Sequence, residues 1–298
     1  MLSIINQYEF ALKGYLHLEN VFDPSTIKQA FEVANDLKFK TSEELPKNAI
    51  PHLFGGHTFS HLHNMLECDD VFLKIMSNDE LISYVKEIVP NPFRLIESIL
   101  LCRKKGYGNP IHRNQFSNLR IIDGKVQSDY IAALIFLTDC GPDDGPTVVI
   151  EGSHHLKDKF PFHPVDPTWN LDNLTEEEKF VKNFKDVTQL PFKDIPGYKE
   201  IHCKAGDIIL FSEDMIHGAK EVKSDKVRLV LKYGFAPYYI SNLHGVEYSE
   251  SLLERCDDYQ KNLLSGPYYG YVFDNSTVKD SMNRNQFLNL RSTKKKAT

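Results

Sequence analysis

Of the twelve histidines in this sequence, position singles out two. His112 follows the glycine-rich turn Lys105-Gly-Tyr-Gly-Asn-Pro110, and His217 follows the β-prone run Gly206-Asp-Ile-Ile-Leu-Phe211. Imidazole nitrogens are good ligands for divalent transition metals, and in a β-barrel strand ends far apart in sequence can meet at one mouth. An isolated histidine is more often a surface or hydrogen-bonded structural residue, so the metal reading needs support from its surroundings. A second group, Pro51-His52-Leu-Phe-Gly-Gly-His57-Thr-Phe-Ser-His61-Leu-His63, is dense enough to suggest zinc. It lacks the paired spacing of a structural zinc finger and has no accompanying cysteine pair. It reads instead as an imidazole- and aromatic-rich loop near the barrel mouth that touches substrate through His57, His61 and His63. His154 and His155, after a Gly-Ser turn, read as structural or surface residues.

The elements that must position these groups follow from periodicity. Asp23-Pro-Ser-Thr opens a run in which Ile27, Ala30, Phe31, Ala34 and Leu37 recur at helical spacing, predicting a capped amphipathic helix over 24–38. A second helix is expected from Asp79 to Ile88. From Phe93 the texture changes to short β-rich runs: Phe93 to Cys102, Tyr130 to Leu137, Thr147 to Ile150, Ile208 to Phe211 and Val227 to Phe235, parted by Gly, Pro and Asp. That is the pattern of a barrel or double-sheet jelly roll. The segment 156–199 interrupts it, with an acidic helical stretch near Thr175 to Phe184, and is long enough to be a functional insertion. Tyr248 to Leu264 reads as one closing helix.

Composition narrows the function classes. The 298 residues are 41% hydrophobic and 26% charged, as in an ordinary globular chain with a sizeable core. Thirty-five Lys plus Arg against 41 Asp plus Glu give a net charge of −6, so a diffuse basic field for nucleic acid is absent. No apolar run of about 18 residues predicts a membrane span, and the N-terminus lacks the charged start and apolar core of an export signal. Five scattered cysteines, never in Cys-x-x-Cys spacing, argue against a disulfide framework and a thiolate zinc site. A reducing cytoplasm is the default location. The basic end, Lys294 to Lys296, reads as a solvated terminus. One domain is expected over 1–298: a helical N-terminal region over 1–92, a jelly-roll core 93–237 carrying the insertion 156–199, and a C-terminal extension 238–298.

The wording around the two histidines adds a resemblance. Gly206-Asp-Ile-Ile-Leu-Phe-Ser-Glu-Asp-Met-Ile-His217-Gly-Ala, with Arg228 eleven residues beyond the histidine, resembles the distal half of the phytanoyl-CoA dioxygenase family. Leu137-Thr-Asp-Cys-Gly-Pro-Asp-Asp-Gly-Pro-Thr147-Val-Val-Ile-Glu-Gly-Ser153-His154 is similar to that family's central signature, and Pro110-Ile-His112-Arg-Asn114-Gln stands where the family has His-x-Asp-Gln. The likeness covers roughly 93–237. It implies a cupin-like double-stranded β-helix, mainly β with flanking helices, in which 156–199 and the loop 48–64 form a lid. It also implies a non-haem Fe(2+) enzyme that uses 2-oxoglutarate and dioxygen to oxidise an unactivated C–H bond of a small organic substrate. By the same resemblance His112, Asn114 and His217 would be the metal residues, and Arg228 would clamp the far carboxylate of 2-oxoglutarate with Thr147 as hydroxyl donor. Arg103 or Lys104 would assist. For Arg228 the plain alternative is a surface barrel cation.

Position 114 departs from the family, because an asparagine stands where a carboxylate ligand belongs. A carboxylate beside a divalent ion contributes several kcal/mol that a neutral amide oxygen does not. Four readings follow: Asn114 ligates through its carbonyl in a working enzyme, a nearby carboxylate such as Asp123 or Asp129 substitutes, the position is open to water or halide, or the chain is a catalytically silent relative that still binds 2-oxoglutarate or another carboxylate. The first ranks highest because His112, His217, Arg228 and Thr147 are all present. A neutral ligand would favour desaturation or ring closure over simple hydroxylation.

Overall fold

In a computed structural model, residues 2–54, 59–113, 117–156, 162–165, 188–243 and 247–267 are described. The N-terminal region contains the helices α1 (Ile4–Lys13), α2 (Pro24–Leu37), α3 (Asp70–Met76) and α4 (Asp79–Ile88). α2 starts as its sequence dictates: the Asp23 carboxylate accepts from the backbone N–H of Ser25 and Thr26 at 3.1 and 3.3 Å, and Pro24 occupies the first turn. Its buried face is Thr26, Ile27, Ala30 and Ala34, whereas Phe31 lies off that stripe and is exposed. α4 is capped by Asn78, which accepts from Glu80 and Leu81 N–H, and it buries Leu81, Ile82, Val85 and Ile88 at one helical period.

Against these helices packs a seven-stranded antiparallel sheet. In spatial order it comprises β1 (Tyr15–Leu18), β13 (Ile208–Ser212), β8 (Ile131–Phe136), β15 (Arg228–Pro237), β4 (Phe93–Arg103), β3 (Phe59–His63) and β2 (Ile50–Phe54). A four-stranded sheet, β12 (Tyr198–Ile201), β9 (Thr147–Ile150), β14 (His217–Ala219) and β5 (Asn109–His112), closes the other side of the jelly roll. The strand β8 shows why the larger sheet can serve two cores. Ile131, Ala133 and Ile135 pack toward the helices, whereas Ala132, Leu134 and Phe136 point between the sheets, as strand alternation requires. β15 does the same, sending Leu229, Leu231 and Tyr233 into the helical core and Val230 into the inner one. Burying each large aliphatic side chain contributes roughly 1.5–3 kcal/mol, so both faces hold the sheet in register.

Three expectations change. The segment 48–64, expected as a loop, contains β2 and β3, which pair as an antiparallel hairpin and extend the large sheet through β4. Its histidines conceal a period of two: Leu62 enters the helical core while Phe59 stacks toward the inner side. The single closing helix is two, α5 (Glu250–Arg255) and α6 (Asp258–Leu264), because Asp257 and Gln260 form a reciprocal cap that starts a new helix. The expected insertion gives its last residues back to the core, since Tyr198 and Lys199 lie in β12 opposite Ile150 and Val149. Within it β10 (Phe162–Val165) pairs parallel with β11 (Thr188–Pro191), and the helical stretch expected near 175–184 lies outside the described residues. β6 (Leu119–Ile122) and β7 (Lys125–Ser128) form a separate hairpin.

Candidate active site

A cavity of about 320 Å³ opens between the two sheets, and its polar lining comes from the inward phase of several strands. His217 begins β14 and stands directly across from His112 at the end of β5, so both imidazoles project from one face. Their ring centroids are 4.3 Å apart. The Nδ1–H of His217 donates to the Met215 carbonyl at 2.9 Å, which turns Nε2, with its lone pair, toward the cavity side. Burial first, and the neighbouring His112 second, hold the His217 pKa well below the usual histidine value, so the ring is neutral at physiological pH.

At one end of this cavity two guanidinium groups meet. Arg228, the first residue of β15, is paired across the ladder with Arg103, the last residue of β4. Arg228 donates to the Thr147 hydroxyl of β9 at 3.1 Å and lies over the Phe136 ring, and Arg103 lies over the Phe59 ring. Each is only 3% exposed. Nε of Arg228, and Nε and Nη1 of Arg103, are buried without a hydrogen-bond partner among the described residues. Burial, then the Arg228 charge, bring the Arg103 pKa down to about 9, so Arg103 remains charged at neutral pH.

The other end is acidic and closed on itself. The Lys232 ammonium lies 2.8 Å from Glu97 Oε2 and 2.9 Å from Glu213 Oε1, and the Tyr130 hydroxyl donates to Glu97 Oε2 at 2.6 Å. Burial alone would lower the Lys232 pKa, but the two carboxylates raise it. Burial also raises the Glu213 pKa, against the lowering effect of Lys232. Glu97 faces inward because it alternates in step with Ile99, Leu101 and Arg103, and just before it β4 bulges: Gly234 pairs with Glu97 but Phe235 with Leu95, so Ile96 is an extra residue and Leu95 turns into the helical core. The bulge needs a glycine opposite it, since a Cβ on Gly234 would come within 2.8 Å of Tyr130 Cε2.

The structure thus brings His112, His217, Arg228, Thr147 and Arg103 to one cavity, and places His61 and His63 of β3 on its wall together with His52. The His52 and His63 rings are 4.9 Å apart. Asn114 and His57 lie outside the described residues. Lys104 is a correction: one residue beyond Arg103, it takes the opposite side and its ammonium lies 4.1 Å from the Phe39 ring centroid. The proposed substitutes for Asn114 are corrected too. Asp129 is held by both arms of Arg120, at 2.7 and 2.8 Å, and Asp123 is exposed in the β6–β7 turn. Glu97, Lys232 and Glu213 were missed. For Glu97 and Lys232, the one charge in each of the stretches 95–102 and 229–236, in phase with the inward residues, was the available signal. Among the described residues, one trio of His, Cys, Asp or Glu donors lies mutually within 4.8 Å: His17, Cys203 and Asp207. There Asp207 already accepts the Lys204 N–H at 2.7 Å and faces His17 at 3.0 Å, which accounts for the trio as a turn brace.

Comparison with known proteins agrees with this architecture. The sequence profile of the phytanoyl-CoA dioxygenase (PhyH) family matches residues 10–230, reaching further toward the N-terminus than the motifs that resembled it. HygX from Streptomyces hygroscopicus, with nickel and 2-oxoglutarate bound, superposes with a TM-score of 0.62 at 23% identity, over 84% of this chain and 96% of its own. With hygromycin B also bound, the values are 0.59, 22%, 81% and 90%. The epimerase SnoN from nogalamycin biosynthesis, in complex with Fe3+, alpha ketoglutarate and nogalamycin RO, gives a TM-score of 0.56 at 15% identity over 83% of this chain and 92% of that one. At these identities the likeness is one of fold. No curated protein gives a significant match. Among the described residues no helix is long and apolar enough to cross a membrane. Because the profile runs through both histidine-bearing strands and reaches Arg228, the chain belongs to the phytanoyl-CoA dioxygenase family of iron(II)- and 2-oxoglutarate-dependent oxygenases.

Proposed function

We propose that this chain oxidises an unactivated C–H bond of a small organic molecule, with iron(II) held by His112 and His217 and 2-oxoglutarate anchored by Arg228. The observation that carries the reading is the placement of two facing imidazoles, the buried His217 and its cross-strand partner His112, and a buried guanidinium pair with unpartnered nitrogens along one cavity. The fit to both groups is chemical. A neutral histidine whose Nδ1–H is fixed by a carbonyl offers Nε2 to a divalent metal. Buried guanidinium donors without a partner cost free energy that a carboxylate would offset.

Iron(II) with 2-oxoglutarate and dioxygen supplies the oxidant, with succinate and carbon dioxide as co-products. The chain's own contribution is positional. The Met215 carbonyl fixes the His217 tautomer, Thr147 orients Arg228, and Arg103 adds a second positive charge for the distal carboxylate. Phe211, Leu134 and Ile99 give the cavity apolar walls that exclude water near the metal residues. His61, His63 and His52 form the wall available to substrate, and His57, which lies between them in sequence, is proposed to act with them. Reaction outcomes other than hydroxylation are supported by fold neighbours named as an epimerase and a carbocyclase. Product analysis that finds only a hydroxylated compound removes that element of the reading.

Anaerobic addition of iron(II) and then 2-oxoglutarate is expected to produce a visible charge-transfer band, and admission of air to produce succinate. Arg228→Ala should lose the succinate. The asparagine at 114 favours a second reading, a catalytically silent relative that retains co-substrate binding. A charge-transfer band with no succinate would establish that alternative in place of the first.

A further inference from the structure

Glu213 continues the inward phase of β13 after Ile209 and Phe211, which lie in the inner core. Its side chain is only 3% exposed. One oxygen, Oε1, is ion-paired with Lys232 at 2.9 Å. The other, Oε2, lies 3.8 Å from His217 Nε2. Because the His217 proton sits on Nδ1, where Met215 accepts it, the facing Nε2 presents a lone pair. A lone pair and a carboxylate oxygen facing each other at this distance are too far apart for a hydrogen bond and repel unless a cation lies between them. Divalent transition metals bind nitrogen and carboxylate oxygen at about 2.0–2.2 Å, which sets adjacent donors roughly 3–3.5 Å apart, so a shift of Oε2 by a few tenths of an ångström lets one ion contact both.

We propose that Glu213 is the carboxylate ligand of the metal centre, supplying through Oε2 the negative charge that the amide at position 114 lacks. The inference rests on the His112–His217 metal reading and assigns its third donor to a different strand from the one the family motif designates. Lys232 is then a positioning residue that holds Oε1 and leaves Oε2 for the ion. In the present geometry Glu213 reaches His217 and does not close on both imidazoles at once, so ligation draws the carboxylate inward.

Anaerobic titration of the full-length protein with cobalt(II), followed by its visible d–d absorption and by calorimetry, separates the possibilities. Glu213→Gln keeps the side-chain volume and should weaken cobalt(II) binding about 100-fold, since a charged ligand is replaced by a neutral one. Asn114→Ala should weaken it by less than about fivefold, and Asn114→Asp introduced into Glu213→Gln should restore it. Thermal melts of the apo variants check folding, and the Asn114→Ala result stands even where Glu213→Gln does not fold. Unchanged affinity in Glu213→Gln, or a loss in Asn114→Ala as large as the one expected for Glu213→Gln, overturns the assignment. Absence of cobalt(II) binding in the unsubstituted protein overturns the metal reading itself, and the role of Glu213 with it.

Discussion

The two charged ends of the cavity are both buried, yet they obey opposite rules. At the guanidinium end, Arg103 and Arg228 repel each other and leave three N–H-bearing nitrogens without partners among the described residues. At the acidic end, Lys232 is ion-paired with Glu97 and Glu213 at 2.8 and 2.9 Å and Tyr130 donates to Glu97 at 2.6 Å, so the charges are compensated although Glu213 Oε1 makes no well-directed hydrogen bond. Buried polar groups are usually paired, and the exceptions mark places where something else completes the pairing. The first end therefore carries a cost that a bound anion would relieve, whereas the second carries its own counter-charges.

The largest expected effect tests the self-contained end. Lys232→Met leaves two buried carboxylates facing each other and should lower the unfolding free energy by about 3–5 kcal/mol, measured by urea denaturation. In that variant the folded-state carboxylate pKa values lie above their unfolded ones, so stability is greatest at low pH and is lost as pH rises through the folded values. The gap to the unsubstituted protein should narrow from pH 8 to pH 5, and a gap independent of pH would show that charge is not the cause. Arg228→Met tests the opposite rule. Removing one of two like charges should leave the melting temperature unchanged or raise it, while 2-oxoglutarate affinity, read by calorimetry on the metal-loaded protein, falls about 100-fold through lost charged hydrogen bonds. A large drop in stability would break the contrast between the ends. The smallest effect sharpens it: Gly234→Ala presses a methyl group against Tyr130 and Glu97 and should cost about 1–3 kcal/mol, with 2-oxoglutarate affinity little changed.

Local chemistry made much of this molecule legible in the sequence. The caps at Asp23 and Asn78 and the helical spacing behind them define α2 and α4, and the five β-rich runs correspond to β4, β8, β9, β13 and β15. The meeting of His112 and His217 was readable because strand ends in a jelly roll converge. The β2–β3 hairpin was not readable, since its alternation is written in histidines, which carry no clear hydrophobic signal. The Glu97–Lys232–Glu213 cluster left only isolated charges in step with the inward residues, and their meeting depends on the order of strands in the sheet, which spacing along the chain does not reveal. Lys104 shows the reverse error: proximity in sequence to Arg103 suggested a shared role, but adjacent strand residues face opposite sides.

Both pairs that define the cavity, His112 with His217 and Arg103 with Arg228, are cross-strand partners in hydrogen-bonded ladders. Their spacing is therefore set by backbone pairing, which side-chain repacking alters little. A one-residue slip in the register of β15 would turn Arg228 and Lys232 out of the interior together, while a change of length in the turn 104–108 leaves both couples facing. Loops around this cavity are free to diverge, and the spacing of the two couples is shielded from that drift by the ladder itself.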